Sequence, residues 1–142
     1  MPNSKTKILW PIYIAACLGA LSIALGAFST HALENLVTSD KLQPHQLEVF
    51  EKAVKYQMYH SIVLLILSLC NWIQHRMIFY KSYYTLLLGT LCFSGSLYII
   101  ALQNLSGFVF PQYLFFITPL GGLLMILGWL IIPLEIPKRS LQ

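Results

Sequence analysis

Four long apolar runs dominate the chain: about Ile8–Thr30, Val54–Ile73, Tyr83–Gln103 and Tyr113–Pro133. A helix that crosses the hydrocarbon core of a bilayer needs about 20 mostly apolar residues. Each run meets that length, and together they use most of the 142 residues. No room is left for a separate soluble domain, so one membrane-integral domain over residues 1–142 is expected. The runs are continuous rather than alternating. Leu64-Leu65-Ile66-Leu67 has no polar lumen face, which argues against barrel strands. Lipid offers the backbone no hydrogen-bond partners, so the spans must be helices that pair their own N–H and C=O groups. The expected fold is all-α: a polytopic membrane protein, a four-transmembrane-helix bundle with a helical extension before the second span. Only 10% of the residues are charged and the mean hydropathy is +0.69. A soluble domain carries about 25% charged residues, so this chain could not coat a water-facing surface.

The segments between the spans set the expected topology. Met1–Lys7 is short and basic. The run after it exceeds a signal-peptide core and lacks a clear A-x-A site, so it reads as a retained first span. Ala32–Lys52 is the most polar segment and is expected to be a loop that passes into a helix. Gln43-Pro44 reads as that helix's start, with proline at its first position. Leu47, Phe50 and Val54 then give an amphipathic lead-in. Glu48 with Lys52 and Glu51 with Lys55 are oriented i, i+4 pairs on a solvated face. Gln74–Lys81 is short and basic, and Asn104–Gln112 has no charge. One side of the membrane would receive Lys5, Lys7, Arg76, Lys81, Lys138 and Arg139; the other, Lys41, Lys52 and Lys55. The positive-inside rule then puts both termini in the cytoplasm, with Trp10, Trp72 and Trp129 as anchors at that face. The net charge of +4 sits at these flanks. The bilayer is therefore the expected partner, and nucleic acid is not.

Small residues mark candidate packing faces. Ala16, Ala20 and Ala24 recur every fourth residue; Gly19 and Gly26 are seven apart, as are Gly89 and Ser96. Gly95 lies beside Ser96, and the fourth span carries Gly121, Gly122 and Gly128. Small side chains let helix backbones approach where lipid removes the hydrophobic drive for association. A ligand groove is the less economical use of the Ala16/Ala20/Ala24 face. Pro119 should kink the fourth span. Cys17, Cys70 and Cys92 all fall inside spans with no metal spacing, and read as small hydrophobes.

Several segments together resemble one family. Gly26-Ala27-Phe28-Ser29-Thr30-His31-Ala32-Leu33 looks like its G-A-F-x-x-H-x-L motif, and Tyr56-Gln57-Met58-Tyr59-His60 like its Y-Q-M-Y-H segment. Phe93-Ser94-Gly95-Ser96-Leu97-Tyr98 and Thr118-Pro119-Leu120-Gly121-Gly122 with Gly128-Trp129 match its third and fourth spans. The chain thus resembles, over about Trp10–Pro133, a small membrane-protein family of unknown function (DUF423/UPF0382, transmembrane-protein-256-like). One departure is Ser29-Thr30, where members commonly carry Gly-Ala. The resemblance implies a four-span plasma-membrane protein and implies no activity.

The candidate polar cluster is His31, His60, Tyr56, Glu51 and Tyr98. Antiparallel neighbouring spans would bring His31 and His60 to similar depth near one interface. Imidazoles there could bind a metal, ligate haem or relay protons. Alternatively each bonds a backbone carbonyl or Glu51 and ties a loop down. Two histidines fall short of the ligands a stable zinc site needs, so no metal and no cofactor is assigned. Tyr56 and His60 share a face at i, i+4, and Tyr59 and Tyr98 would join an interfacial belt. His45 and His75 read as solvent-side residues. No Asp or Glu lies in the middle of a span, unlike proton-coupled transporters, and no catalytic or phosphate-binding motif is visible. The chain is therefore not expected to be an enzyme. Intramembrane packing or partner binding, in a homo-oligomer or with another membrane protein, is the first reading. A small-solute or ion carrier opening near His31, His60 and Tyr98 is the second. A metal or haem protein using the two histidines is the third.

Overall fold

The computed structural model describes residues 4–106 and 114–136. Helix α1 (Ser4–Phe28) continues through a π-helical turn (Ser29–Leu33) into the short α2 (Glu34–Thr38). Then come α3 (Pro44–Ile73), α4 (Tyr80–Ser106) and α5 (Leu114–Glu135). Among the described residues, four helical stretches are long and apolar enough to cross a membrane. Pro44 does start α3, whose first turn closes with a Gln43–Gln46 capping box, and the helix extends well before the apolar run. Glu48, Lys52 and Lys55 are exposed along it. The expected loop from Ala32 is shorter than its polarity suggested, because the chain stays helical to Thr38. Its cause is local. The hydroxyls of Ser29 and Thr30 both donate to the Gly26 carbonyl (2.8 and 3.3 Å). Just after it, the Glu34 N–H reaches Ser29 O, one residue further than in an α-helix. Such a π turn rotates the residues after it and lets Leu33 enter the core. The expected connection Asn104–Gln112 loses Asn104–Ser106 to α4; residues 107–113, with Tyr113, and Lys138 and Arg139 lie outside the described residues.

Two helices end in the same cap. After α2, the Asp40 N–H bonds Val37 O and the Lys41 N–H bonds Leu36 O. After α3, the His75 N–H bonds Trp72 O and the Arg76 N–H bonds Asn71 O. Both are Schellman motifs, and the residues at the left-handed position are Asp40 (φ 56°) and His75 (φ 51°) rather than glycine. A non-glycine there costs roughly 1–2 kcal/mol. His75 therefore reverses the chain as well as facing solvent.

Each helix packs along its neighbour in the order α1, α3, α4, α5. The α4–α5 seam is in register throughout: Leu86 meets Gly128, Gly89 meets Met125, Phe93 meets Gly121, and Ser96 meets Thr118. Each pair of numbers sums to 214. The contacts recur at spacings of three and four, the repeat of antiparallel helices packed along their length. Gly121 is the closest approach. A Cβ there would lie 2.5 Å from the Phe93 nitrogen. On the α1–α3 seam, Gly19 faces Ser61 and Gly26 faces Val54. The interior has two apolar layers. Ala15, Leu64, Leu67, Tyr83 and Leu86 form one near the Gln74–Phe79 turn. Leu33, Leu42, Phe50 and Ala101 form the other near the Ser39–Gln43 turn.

The expected packing faces divide in two. Gly19, Gly26, Gly89, Ser96, Gly121 and Gly128 do meet a neighbouring helix, and Gly122 makes an ordinary contact with the Phe93 ring (3.6 Å). Ala16, Ala20 and Ala24 do not; all three are exposed. The reason is that Gly19, Ser22 and Gly26 occupy the opposite face and α3 takes that one. Gly95 is also no packing residue, since a Cβ built on it meets nothing within 4 Å. Pro119 lies within α5, which remains helical to Glu135.

Candidate functional site

Between the two apolar layers lies a belt of buried polar side chains: Ser22, Gln57, His60, Ser61, Thr90, Ser94 and Ser96. A polar group in hydrocarbon must find a partner within the protein. Several of these do so across a helix seam. Ser22 donates to the Val54 carbonyl (2.8 Å). The Gln57 side chain joins three helices. Its Nε2 donates to Leu18 O on α1 (2.9 Å), and its Oε1 accepts from the Tyr98 hydroxyl on α4 (3.0 Å). At the Ser39–Gln43 end, Gln46 Nε2 donates to Ala101 O (3.2 Å). At the other end, Tyr83, fully buried, donates to Pro11 O (2.9 Å). Interhelical hydrogen bonds of this kind contribute roughly 0.6–2 kcal/mol each in a bilayer.

His60 is held from both sides. Its Nδ1 lies 2.8 Å from the Tyr56 carbonyl, and Trp129 of α5 donates its indole N–H to Nε2 (3.3 Å). One ring nitrogen must donate and the other accept, so these contacts describe neutral imidazole with its proton on Nδ1. Tyr56 stacks beside the ring and also packs on Phe93 of α4. Trp129 therefore reaches across α4 to α3.

The expected pairing of His31 with His60 is not formed. Gly19 faces Ser61 and Gly26 faces Val54, so facing positions on this seam sum to 80. His60 therefore stands level with residue 20, and His31 with residue 49. Eleven residues separate the two levels, about 16 Å of helix rise. His31 is exposed on the π turn, whereas His60 is buried. The pairing would require the first span to end where its hydrophobicity ends. The helix instead runs on, and His31 is carried beyond the level of His60. Glu51 is nine residues before His60 on the same helix, too far along it to meet the ring. Tyr98 joins Gln57 rather than His60. Of the five expected residues only Tyr56 and His60 meet, and among the described residues no group of three His, Cys, Asp or Glu could hold a metal ion. A metal or haem site shared by the two histidines is ruled out by this spacing.

Three residues carry more than their sequence context signals. Gln57 holds the three-helix junction, and among the polar Lys55, His60 and Ser61 around it nothing in the sequence sets its amide apart. Ser94 is buried with no hydrogen-bond partner for its Oγ. Glu135, at the end of α5, accepts from the Lys81 N–H (2.8 Å), the Ser82 N–H (3.0 Å) and the Ser82 hydroxyl. It thereby satisfies the orphan donors of the first turn of α4 and sits at the positive end of that helix's dipole. Nothing in the local sequence around Glu135 points to a helix start more than 50 residues earlier in the chain.

Comparison with known proteins agrees with this architecture. The family model described as a protein of unknown function (DUF423) matches residues 25–122. A UPF0382 membrane protein of Staphylococcus haemolyticus is 39% identical over 121 residues, covering 85% of this chain and 89% of its own length. A UPF0382 membrane protein of Schizosaccharomyces pombe is 34% identical over 119 residues, 82% of this chain and 92% of its own. The UPF0382 inner membrane protein YgdD of Escherichia coli K12 is 33% identical over 118 residues, 83% of this chain and 82% of its own. No solved structure matches.

Proposed function

Because the chain belongs to the DUF423 family of multi-pass membrane proteins, to which no function is assigned, we propose a role from its own geometry: it works inside the bilayer by packing against a partner helix. The observation that carries this reading is the outward face of α1. Ala16, Ala20 and Ala24 are exposed there, a strip of small side chains bordered by the exposed Tyr13, Leu21 and Ile23, while the other helices expose large side chains such as Leu88, Phe116, Ile126 and Leu130. Lipid is well served by large side chains; a run of alanines instead lets another backbone come close. The partner is a second copy or another membrane protein. A carrier acting through His60 is less well supported, because both ring nitrogens are already engaged within the chain.

Cys17 stands beside this face and is exposed, so it is a native probe. A disulfide requires Cα atoms within about 7 Å. Mild oxidation of membranes is expected to give a dimer linked through Cys17, absent in Cys17→Ser and reduced several-fold in Ala20→Leu. If the partner is a different protein, Ala20→Leu should release it from the purified complex. An Ala20→Leu variant with unchanged cross-linking, unchanged co-purifying proteins and unchanged yield would end this reading.

The same proposal places the protein in the plasma membrane with both termini cytoplasmic. Its support is the basic residues of the Gln74–Lys81 turn and the two termini, and the relative named as an inner membrane protein. In a bacterial host, a carboxy-terminal green fluorescent protein fusion should fluoresce and an alkaline phosphatase fusion should be inactive. The opposite pattern would reverse the orientation.

A further inference from the structure

Arg76, Met77, Ile78 and Glu135 line an open pocket of about 380 Å³ where the turn after α3 meets the end of α5. The apolar runs of these two helices stop at Ile73 and Pro133. The pocket therefore sits at the edge of the hydrocarbon, at the level of lipid headgroups. It holds one charge of each sign. Arg76 is exposed and Glu135 half-buried. The two do not pair with each other, and among the described residues neither has an ion-pair partner.

Both groups have bonding capacity left. Arg76 contributes only backbone atoms to the turn: its N–H bonds Asn71 O, and its carbonyl accepts from the Ile78 N–H. Among the described residues its guanidinium has no partner, so a planar fork of N–H donors faces the pocket uncommitted. Glu135 is partly committed. Its Oε1 accepts one hydrogen bond, from the Lys81 N–H, and its Oε2 accepts two, from the Ser82 N–H and hydroxyl. Each carboxylate oxygen has two lone pairs, so Oε1 keeps one acceptor position. The charge is also only part-balanced, because the start of α4 offers about half an elementary charge against the full one on the carboxylate. The pocket thus pairs a donor-rich cation with an anion that has room for one more donor, and leaves space between them. A ligand that satisfies both carries an anionic oxygen cluster at one end and a cation with an N–H at the other. Met77 and Ile78 supply an apolar side, which a small water-soluble zwitterion would not use.

We propose that this pocket binds the headgroup of an aminophospholipid of the phosphatidylethanolamine type, with its phosphate on the Arg76 guanidinium, its primary ammonium on Glu135 Oε1, and its glycerol against Met77 and Ile78. Arginine matches phosphate with two parallel hydrogen bonds, and a basic pocket beside spanning helices is a recurrent lipid-headgroup site. The carboxylate sets the selection. Phosphatidylcholine has both charges but no N–H for Oε1, and phosphatidylglycerol has the phosphate but no cation. This site is separate from the Ala16/Ala20/Ala24 face, and neither proposal depends on the other.

The test places the full chain in nanodiscs holding phosphatidylethanolamine, phosphatidylcholine and phosphatidylglycerol in equal amounts. Native mass spectrometry then counts the lipid retained on release. One phosphatidylethanolamine is expected on the wild type, favoured about tenfold over either competitor, the factor that one charge-assisted hydrogen bond supplies. Arg76→Ala should remove that adduct. Arg76→Lys should restore only part of it, because an ammonium offers phosphate a point charge rather than a fork. Glu135→Gln should still retain lipid but lose most of the preference over phosphatidylcholine. The Arg76 side chain has no partner among the described residues, so its variants keep the test decisive if the glutamine variant is unstable. Equal retention of the three lipids, or a phosphatidylethanolamine adduct untouched by Arg76→Ala, would overturn the site. A preference unchanged in Glu135→Gln would overturn the role of the carboxylate. Displacement of the adduct by excess free phosphoethanolamine would overturn the lipid as its occupant.

Discussion

Gly121→Ala should force α4 and α5 apart and lower the stability of the bundle by about 3 kcal/mol, at the upper end of the cost of overpacking. The new Cβ would lie 2.5 Å from the Phe93 nitrogen, 2.9 Å from its Cα and 3.0 Å from the Cys92 carbonyl carbon. All three are backbone atoms, so no side chain can swing away. The helices must separate, and separation strains the neighbouring contacts of Gly89 with Met125 and of Gly128 with Leu86. It also stretches the Ser96–Thr118 hydroxyl pair, now 2.7 Å. The adjacent Gly122 is the internal control. Its Cβ would meet the Phe93 ring at an ordinary 3.6 Å, and alanine is favoured over glycine within a helix by about 1 kcal/mol. Gly122→Ala should therefore be neutral or slightly stabilising. Unfolding in a detergent titration, followed by circular dichroism, compares the two. If both glycines tolerate alanine equally, α4 and α5 do not meet backbone to backbone at Gly121.

Glu135→Ala is expected to cost about 2–3 kcal/mol. The carboxylate accepts two backbone N–H groups and one hydroxyl at the start of α4, and hydrogen bonds to a charged group contribute about 1.5–3 kcal/mol. Ordinary helix caps contribute about 1 kcal/mol. Glu135 adds the charge–dipole attraction at the helix start and pins α5 to α4 at one end. Glu135→Gln keeps an acceptor and loses the charge, so it should recover about half of the loss. Ser82→Ala removes one bond and should cost about 1 kcal/mol. The same unfolding titration ranks the three variants. A glutamine variant as unstable as the alanine one would point to geometry rather than charge, and an alanine variant as stable as wild type would remove the cap.

The two seams differ in how much of their packing is legible in the sequence. On α4 and α5, the sequence marks Gly89, Ser96, Gly121 and Gly128 as packing positions, and they are. Gly95 and Gly122, on the same two helices, do not mark a close approach, so a glycine alone does not name the face. On α1 the same kind of reading names both Ala16/Ala20/Ala24 and Gly19/Gly26, and only the second set meets α3. Small residues occur on two faces, and nothing local ranks them. The polar site divides in the same way. His60 and Tyr56 are neighbours on one helix face, so their contact is legible. Trp129 as the partner of His60, Tyr98 as the partner of Gln57 and Glu135 as the cap of α4 are each set by the register between distant helices.

What the sequence by itself determined is the one-dimensional part: four membrane-spanning helices, their approximate limits, and the proline-led start of α3. These come from the bilayer, which demands about 20 apolar residues per crossing and internal pairing of every backbone group. What the tertiary structure alone decided is which side of each helix faces inward and how far each has slid along its neighbour. In water, the contrast between apolar and polar faces would orient a helix. Here the surroundings are as apolar as the interior, so that contrast vanishes. Orientation is left to steric fit at Gly121 and Gly128, to the hydrogen bonds of Gln57, His60 and Tyr83, and to the carboxylate of Glu135 at the start of α4.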